Sequence, residues 1–294
     1  EIVANSNATF SVITGSVDLT GTRTTMAQIA AEELGVEMEQ IIIASGDTDS
    51  VGHTDGSFGS RTTLTTGTAV MNAARDVVGK IKEKAGEFLR VEPEYLDYAD
   101  QVFEMRDNPD KRITLVEVCE RSIGQMPGSI HGAGNSTGLP GAPTAAASIA
   151  EVEVDRETGR PEIKRFTMFQ DPGNAINPMA VEGQMQGGAG QGIGWALWEV
   201  YDIDQVTGVV RNANFLDYRI PTTLDIPMIG TEIVSTPNPS GPYGARGVGE
   251  IPLVTPVAAI ANAIHDATGV RIYETPLNPE RVFWALQGES AASG

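Results

Sequence analysis

The sequence predicts an α/β (α+β) chain made of two similar-sized mixed subdomains. A strand-like stretch followed by helix-period apolar spacing occurs twice in the first half, a Gly- and Pro-rich stretch interrupts the middle, and strands and helices resume beyond it. With 294 residues, 40% of them hydrophobic, the chain can bury a large core.

Residues 9–14 alternate as a strand, and Met26, Ile29, Ala30 and Leu34 then recur at helical spacing until Gly35 stops the helix. Residues 41–44 read as a buried strand. A polar, Gly- and Ser-rich segment at 47–63 separates that strand from a long helix whose Val70, Ala74, Val77, Val78, Ile81 and Ala85 share one face. The first subdomain is thus 1–125. Five glycines and three prolines in residues 125–143 mark a connection, placed at 126–146, and the second subdomain is 147–294. There Ala150, Val152 and Val154 alternate with Glu151 and Glu153, and a turn at 155–159 leads into a partner strand near 163–168. Helices are expected at 178–199, 252–268 and 279–286, with strands near 230–235 and 270–274.

The charge is 20 basic against 39 acidic residues, net −19, which disfavours binding to nucleic acid or anionic lipid. A single cysteine, Cys119, excludes an internal disulfide and any cysteine-ligated cluster built by this chain alone. His53, His131 and His265 are scattered, so a metal here must bring its own ligands. No apolar run suits a membrane span and no leader-like segment opens the chain, so the simplest compartment is the cytoplasm. The start at Glu1 suggests a piece of something longer.

Three Gly-rich segments carry the chemistry. Gly241-Pro-Tyr-Gly-Ala-Arg-Gly-Val-Gly-Glu250 packs four glycines around one carboxylate. Glycine spends conformational entropy, and its usual return is positive φ or close approach of backbone to a ligand. Glu250 could instead merely open the following helix, where an acid is favoured. Asp55-Gly-Ser-Phe-Gly-Ser-Arg-Thr-Thr63 runs into the long helix, placing Ser60, Arg61 and Thr62 around a helix N-terminus suited to phosphate. A simple cap would explain one of those residues but not Gly56, Gly59 and Arg61 together. In Gly183-Gln-Met-Gln-Gly-Gly-Ala-Gly-Gln-Gly-Ile-Gly194, the glycines at 187, 188, 190, 192 and 194 would cost a helix roughly 4–5 kcal/mol relative to alanine. Either close helix packing or a flat ligand contacting Gln184, Gln186 and Gln191 must compensate. No phosphate-binding Gly-Lys-Ser/Thr motif or dinucleotide fingerprint is present. Together the loops point to a large polyanionic cofactor cradled mostly by backbone.

The segments Gly-Ala-Arg-Gly-Val-Gly-Glu-Ile-Pro-Leu, Ala-Ile-Asn-Pro-Met-Ala-Val-Glu-Gly-Gln-Met-Gln-Gly-Gly and Phe-Gly-Ser-Arg-Thr-Thr resemble the C-terminal half of the molybdenum-binding subunit of the xanthine dehydrogenase family. That resemblance implies a cofactor site in loops between the subdomains. The implied cofactor is molybdopterin, in its cytosine dinucleotide form, with molybdenum held by the cofactor's dithiolene. It further implies a hydroxylase acting on a purine, N-heterocycle or aldehyde with water as oxygen source, or oxidising carbon monoxide. Glu250 would then be the general base. Phe58, Gly59, Ser60, Arg61, Thr62, Gln184, Gln191, Gly192, Arg246, Gly247, Val248 and Gly249 would contact the cofactor. The first Gly loop, 15–21, lacks the family's Gly-Gln-Gly, leaving Thr20 and Gly21 as its candidates. Implied partners are the N-terminal half of the molybdenum subunit, an iron–sulfur subunit with [2Fe-2S] centres and an FAD subunit. A rival reading is a cofactor-free structural or maturation-related relative, which has no evident need for Glu250.

Overall fold

The computed structural model describes residues 1–51, 54–125 and 128–288. His53 and the first two residues of the expected connection lie outside them. The chain forms two compact units: residues 1–143, 173–177 and 237–247 make the first, and residues 144–172, 178–236 and 248–294 the second.

The first unit contains β1 (Ile2–Ala4), β2 (Phe10–Thr14), α1 (Thr22–Leu34), β3 (Ile41–Ser45), α2 (Thr62–Leu89), β4 (Leu96–Ala99), β5 (Val102–Met105), β6 (Asn108–Thr114), α3 (Leu115–Ile123) and β7 (His131–Gly132). One sheet runs β3-β2-β1-β7, with β2 and β3 parallel and the α1 helix between them in sequence, as a crossover requires. A second sheet, β4-β5-β6, is an antiparallel meander. Phe10, Met26, Ile29, Leu34, Val70, Val77, Ile81 and Phe103 belong to one continuous buried core. Of the row predicted from spacing, the 28-residue α2 buries Val70, Ala74, Val77, Ile81 and Ala85, while Val78 is only partly buried.

Within the stretch read as a connection, His131–Gly132 forms an edge strand on β1. A Cβ on Gly134 would come within 2.1 Å of the Ala69 carbonyl oxygen, so this stretch is laid backbone to backbone on α2.

The second unit contains β8 (Ala146–Val154), β9 (Pro161–Gln170), α4 (Pro178–Leu197), β10 (Ile229–Ile233), α5 (Pro256–Thr268) and α6 (Pro279–Leu286). Its sheet is β10-β9-β8, with the β8–β9 hairpin antiparallel and β10 parallel to β9. Asp155 closes the hairpin turn, its side chain accepting from the Glu157 N–H and the Thr158 hydroxyl at 2.8 Å each.

Two expectations need correction. No strand forms at 270–274. Polar groups there are used locally: the Val270 N–H donates to the Thr268 hydroxyl at 3.3 Å and Arg271 to Asn262 at 2.7 Å. The helix expected at 252–268 is a 3-10 turn, Ile251–Leu253, followed by α5. Pro256 explains the restart, because proline lacks an N–H and is accommodated in a helix's first turn. Among the described residues, no helix is long and apolar enough to cross a membrane.

Candidate functional site

In the first unit, two of the predicted cofactor segments end at helix N-termini, each preceded by consecutive left-handed residues. Thr20 and Gly21, at φ 61° and 78°, precede α1, while Gly59 and Ser60, at φ 59° and 54°, precede α2. Threonine and serine seldom adopt positive φ, and such local strain concentrates at ligand sites. Backbone N–H groups turned together in this manner form an anion-binding hollow.

The two helix heads differ electrostatically. At α1 the Asp18 carboxylate already accepts from the Arg23 N–H at 3.1 Å, so the chain supplies its own anion beside Thr20 and Gly21. At α2 the first turn likewise contains no acid, but the N-cap is Arg61, whose guanidinium has no acceptor atom and shares the helix head with Asp55. A positive helix end thus combines with the Gly59–Ser60 turn. Arg61 is held by Asp55 at 3.2 Å and the Gly56 carbonyl at 3.2 Å, with its guanidinium 5.6 Å from the exposed Phe58 ring. The Thr62 hydroxyl bonds Ser57 at 3.2 Å.

Gly247 is brought against this head. A Cβ there would stand 2.8 Å from the Ser60 carbonyl oxygen and 2.9 Å from its Cβ, so only glycine fits. The turn leading to it is fixed by groups that sequence reasoning missed. Asn174 donates to the Tyr243 carbonyl at 2.6 Å, and the N–H groups of Asn174 and Asn238 both reach the Gly244 carbonyl, at 3.1 and 2.8 Å. The Tyr243 hydroxyl donates to Glu33 at 2.8 Å, and Glu33 also receives two bonds from Arg75 at 2.9 Å each. Burial, with the Glu33 bond second, raises the Tyr243 pKa and keeps it a donor. Arg246 donates to the Pro143 carbonyl. The signal in the sequence was Asn174 and Asn238, since asparagine beside glycine or proline commonly organises turns.

In the second unit, the Glu250 side of the loop lies on the Gly-rich helix. The Val248 carbonyl accepts from Gln170, which is buried, at 3.0 Å. Glu250 is itself exposed and occupies the N-cap of the 3-10 turn Ile251–Leu253. That turn packs on α4: a Cβ on Gly188 would meet Pro252 at 2.8 Å, and one on Gly192 would meet Pro256 at 2.6 Å and the Leu253 carbonyl at 2.9 Å. Gly192 is therefore occupied by packing. Gly183 and Gly187 have nothing within 4 Å of their would-be Cβ atoms. They leave an exposed stretch of helix free of side chains, near the partly exposed Gln184 and the exposed Gln191.

Among the described residues, no group of three or more His, Cys, Asp or Glu side chains could hold a metal ion. In the first unit the left-handed turn before α2 has the form of an anion-binding hollow, and in the second the side-chain-free stretch of α4 offers backbone and amides; each by itself suits part of a large anionic cofactor that carries the metal's ligands itself. These features define a cofactor-cradling protein.

Over residues 1–227 the chain matches the molybdopterin cofactor-binding domain family, and it belongs to that family. It is 34% identical over 285 residues to the 6-hydroxypseudooxynicotine dehydrogenase complex subunit gamma of Paenarthrobacter nicotinovorans, covering 92% of this chain and 35% of that subunit. It is 31% identical to the xanthine dehydrogenase molybdenum-binding subunit of Escherichia coli, covering 96% of this chain and 38% of that one. Its fold matches a Cu,Mo-CO dehydrogenase in the carbon monoxide reduced state, with a TM-score of 0.88 and 30% identity over 98% of this chain and 37% of the other. The chain therefore corresponds to part of the molybdenum-binding large subunit of the xanthine dehydrogenase family and spans a little over a third of these relatives.

Proposed function

We propose that this chain is the C-terminal molybdopterin-binding part of a molybdenum hydroxylase that inserts water-derived oxygen into an electron-poor carbon of a purine, N-heterocycle or aldehyde, or oxidises carbon monoxide. The observation carrying this reading is the head of α2, with Arg61 at its N-cap, preceded by left-handed Gly59 and Ser60 and packed against Gly247. Anionic groups of a cytosine dinucleotide cofactor suit that hollow, with Phe58, Arg61, Thr62 and Arg246 around it. Gln184 and Gln191 offer amide bonds beside bare helix backbone. Asp18 makes Thr20 and Gly21 poorer candidates for an anion.

When bound, the cofactor supplies a redox centre that accepts two electrons from the substrate. Glu250 is the general base: its carboxylate accepts the proton released as oxygen adds to carbon. Gln170 holds Val248, and the turn packed on Gly188 and Gly192 holds the other side of the acid. Electrons leave through [2Fe-2S] and FAD centres on partner chains or domains, since Cys119 is buried and single. The N-terminal part of the molybdenum subunit would complete the substrate pocket.

The test is molybdenum and cytidine phosphate analysis of the purified native complex. Stoichiometric amounts of both support this reading. Absence of both favours a cofactor-free relative.

A further inference from the structure

The turn that carries Gly247 to the head of α2 is docked within the first unit at three places. Pro242 lies over α2, where a Cβ on Gly67 would come within 3.0 Å of its ring. Gly247 meets Ser60 at the helix head, with no room for a side chain. Between them stands Tyr243, whose backbone is left-handed at φ 51° and ψ 23°. Tyrosine seldom adopts that conformation, so surrounding contacts must impose it. Asn174 binds its carbonyl, and its side chain reaches to the end of α1, where the hydroxyl donates to Glu33 at 2.8 Å.

Glu33 is badly placed for the helix that carries it. It sits in the last turn of α1, where no basic residue is present and the helix end is already negative. Its side chain is nevertheless only 13% exposed, and two bonds at 2.9 Å from the Arg75 guanidinium of α2 hold it in one orientation. The two helices already share a continuous apolar core, in which Met26, Ile29, Val70 and Val77 are buried, so they do not need this ion pair to pack. What the carboxylate adds is a fixed acceptor for a tyrosine 210 positions away in sequence. That bond lends the rigidity of the helix pair to the turn, four residues before Gly247.

We propose that Tyr243 is a positioning residue for the cofactor site: its hydroxyl, bound to the Arg75-held Glu33, keeps Gly247 against Ser60 and so keeps the hollow at the head of α2 in the form that retains an anionic group of the cofactor. This rests on the reading above that the hollow takes such a group. The test compares the native complex carrying the wild-type sequence, Tyr243→Phe, Glu33→Ala or both changes, by hydrogen exchange of the amides at 244–247 and by the molybdenum retained through prolonged dialysis. Phenylalanine keeps the ring and removes only the donor. A hydrogen bond to a charged acceptor favours the closed turn by at least about 10-fold, so Tyr243→Phe should exchange those amides about 10-fold faster and lose molybdenum faster, with the buried amides of α1 and α2 unchanged. Glu33→Ala should reproduce the effect, and adding Tyr243→Phe to it should change nothing further. Wild-type exchange or wild-type molybdenum retention in Tyr243→Phe, equal acceleration throughout both helices, or additive effects of the two changes overturn the positioning role while leaving the cofactor reading intact. A wild-type complex that contains no molybdenum overturns that reading and the positioning role with it.

Discussion

Alanine substitutions at two glycines of α4 should move stability in opposite directions. At Gly187 a Cβ meets nothing within 4 Å, so Gly187→Ala gains the helix propensity of alanine, about 1 kcal/mol. At Gly192 the same methyl group would lie 2.6 Å from Pro256 and 2.9 Å from the Leu253 carbonyl oxygen. Neither neighbour is a flexible side-chain end. Overpacking of this kind costs about 1–3 kcal/mol, which cancels or exceeds the gain. The two variants should therefore differ by about 1–3 kcal/mol, or at least about 2 °C in melting temperature for a chain of this size. Calorimetry of the purified protein under identical conditions measures this. Leu253 belongs to the turn that begins beside Glu250, so Gly192→Ala should also lower turnover while leaving molybdenum content unchanged. A Gly192→Ala protein as stable as Gly187→Ala, with normal turnover, would refute the close packing of that turn on the helix.

Two further outcomes follow from titratable groups. Burial pushes the Cys119 thiol from 9.0 to about 11. At about pH 8 its thiolate is then some 10²-fold scarcer than at the ordinary value, so a thiol reagent should label the native protein at least ~10²-fold more slowly than the unfolded chain. Equal labelling rates would contradict the burial. Asp76 is held below the usual carboxylate range by Lys80, then by the Ala133 N–H beside β7. Its stabilisation is complete above the unfolded value of 3.8 and is lost as pH falls through the lower folded value. The stability difference between wild type and Asp76→Asn should accordingly be present near neutral pH and vanish in acid; a difference independent of pH would count against this anchor.

Much of the frame was legible because its burial pattern is regular. The α2 face from Val70 to Ala85 and the β8–β9 hairpin with its Asp155 turn show clear periods. The β4-β5-β6 sheet escaped because β6, Asn-Pro-Asp-Lys-Arg-Ile-Thr, exposes every residue but Ile113 and has no alternation to find. The α3 helix could have been read from its capping box, in which Thr114 and Glu117 bond each other's backbone N–H. For α4, composition posed the right question, and tertiary structure divides the answer: Gly188, Gly192 and Gly194 meet close neighbours, whereas Gly183 and Gly187 do not. Spacing marked Glu250 as special but could not reveal its exposure. Nor could it reveal the Asn174 and Glu33 supports, because they reach the loop from distant sequence.

The most direct test of the central claim is turnover of Glu250→Gln in the assembled complex, normalised to bound molybdenum. The substitution keeps the side chain's shape and removes its ability to take a proton. Cofactor content should be retained while turnover falls by at least about 10². Near-normal turnover in a molybdenum-loaded variant would contradict the assignment of Glu250 as the base.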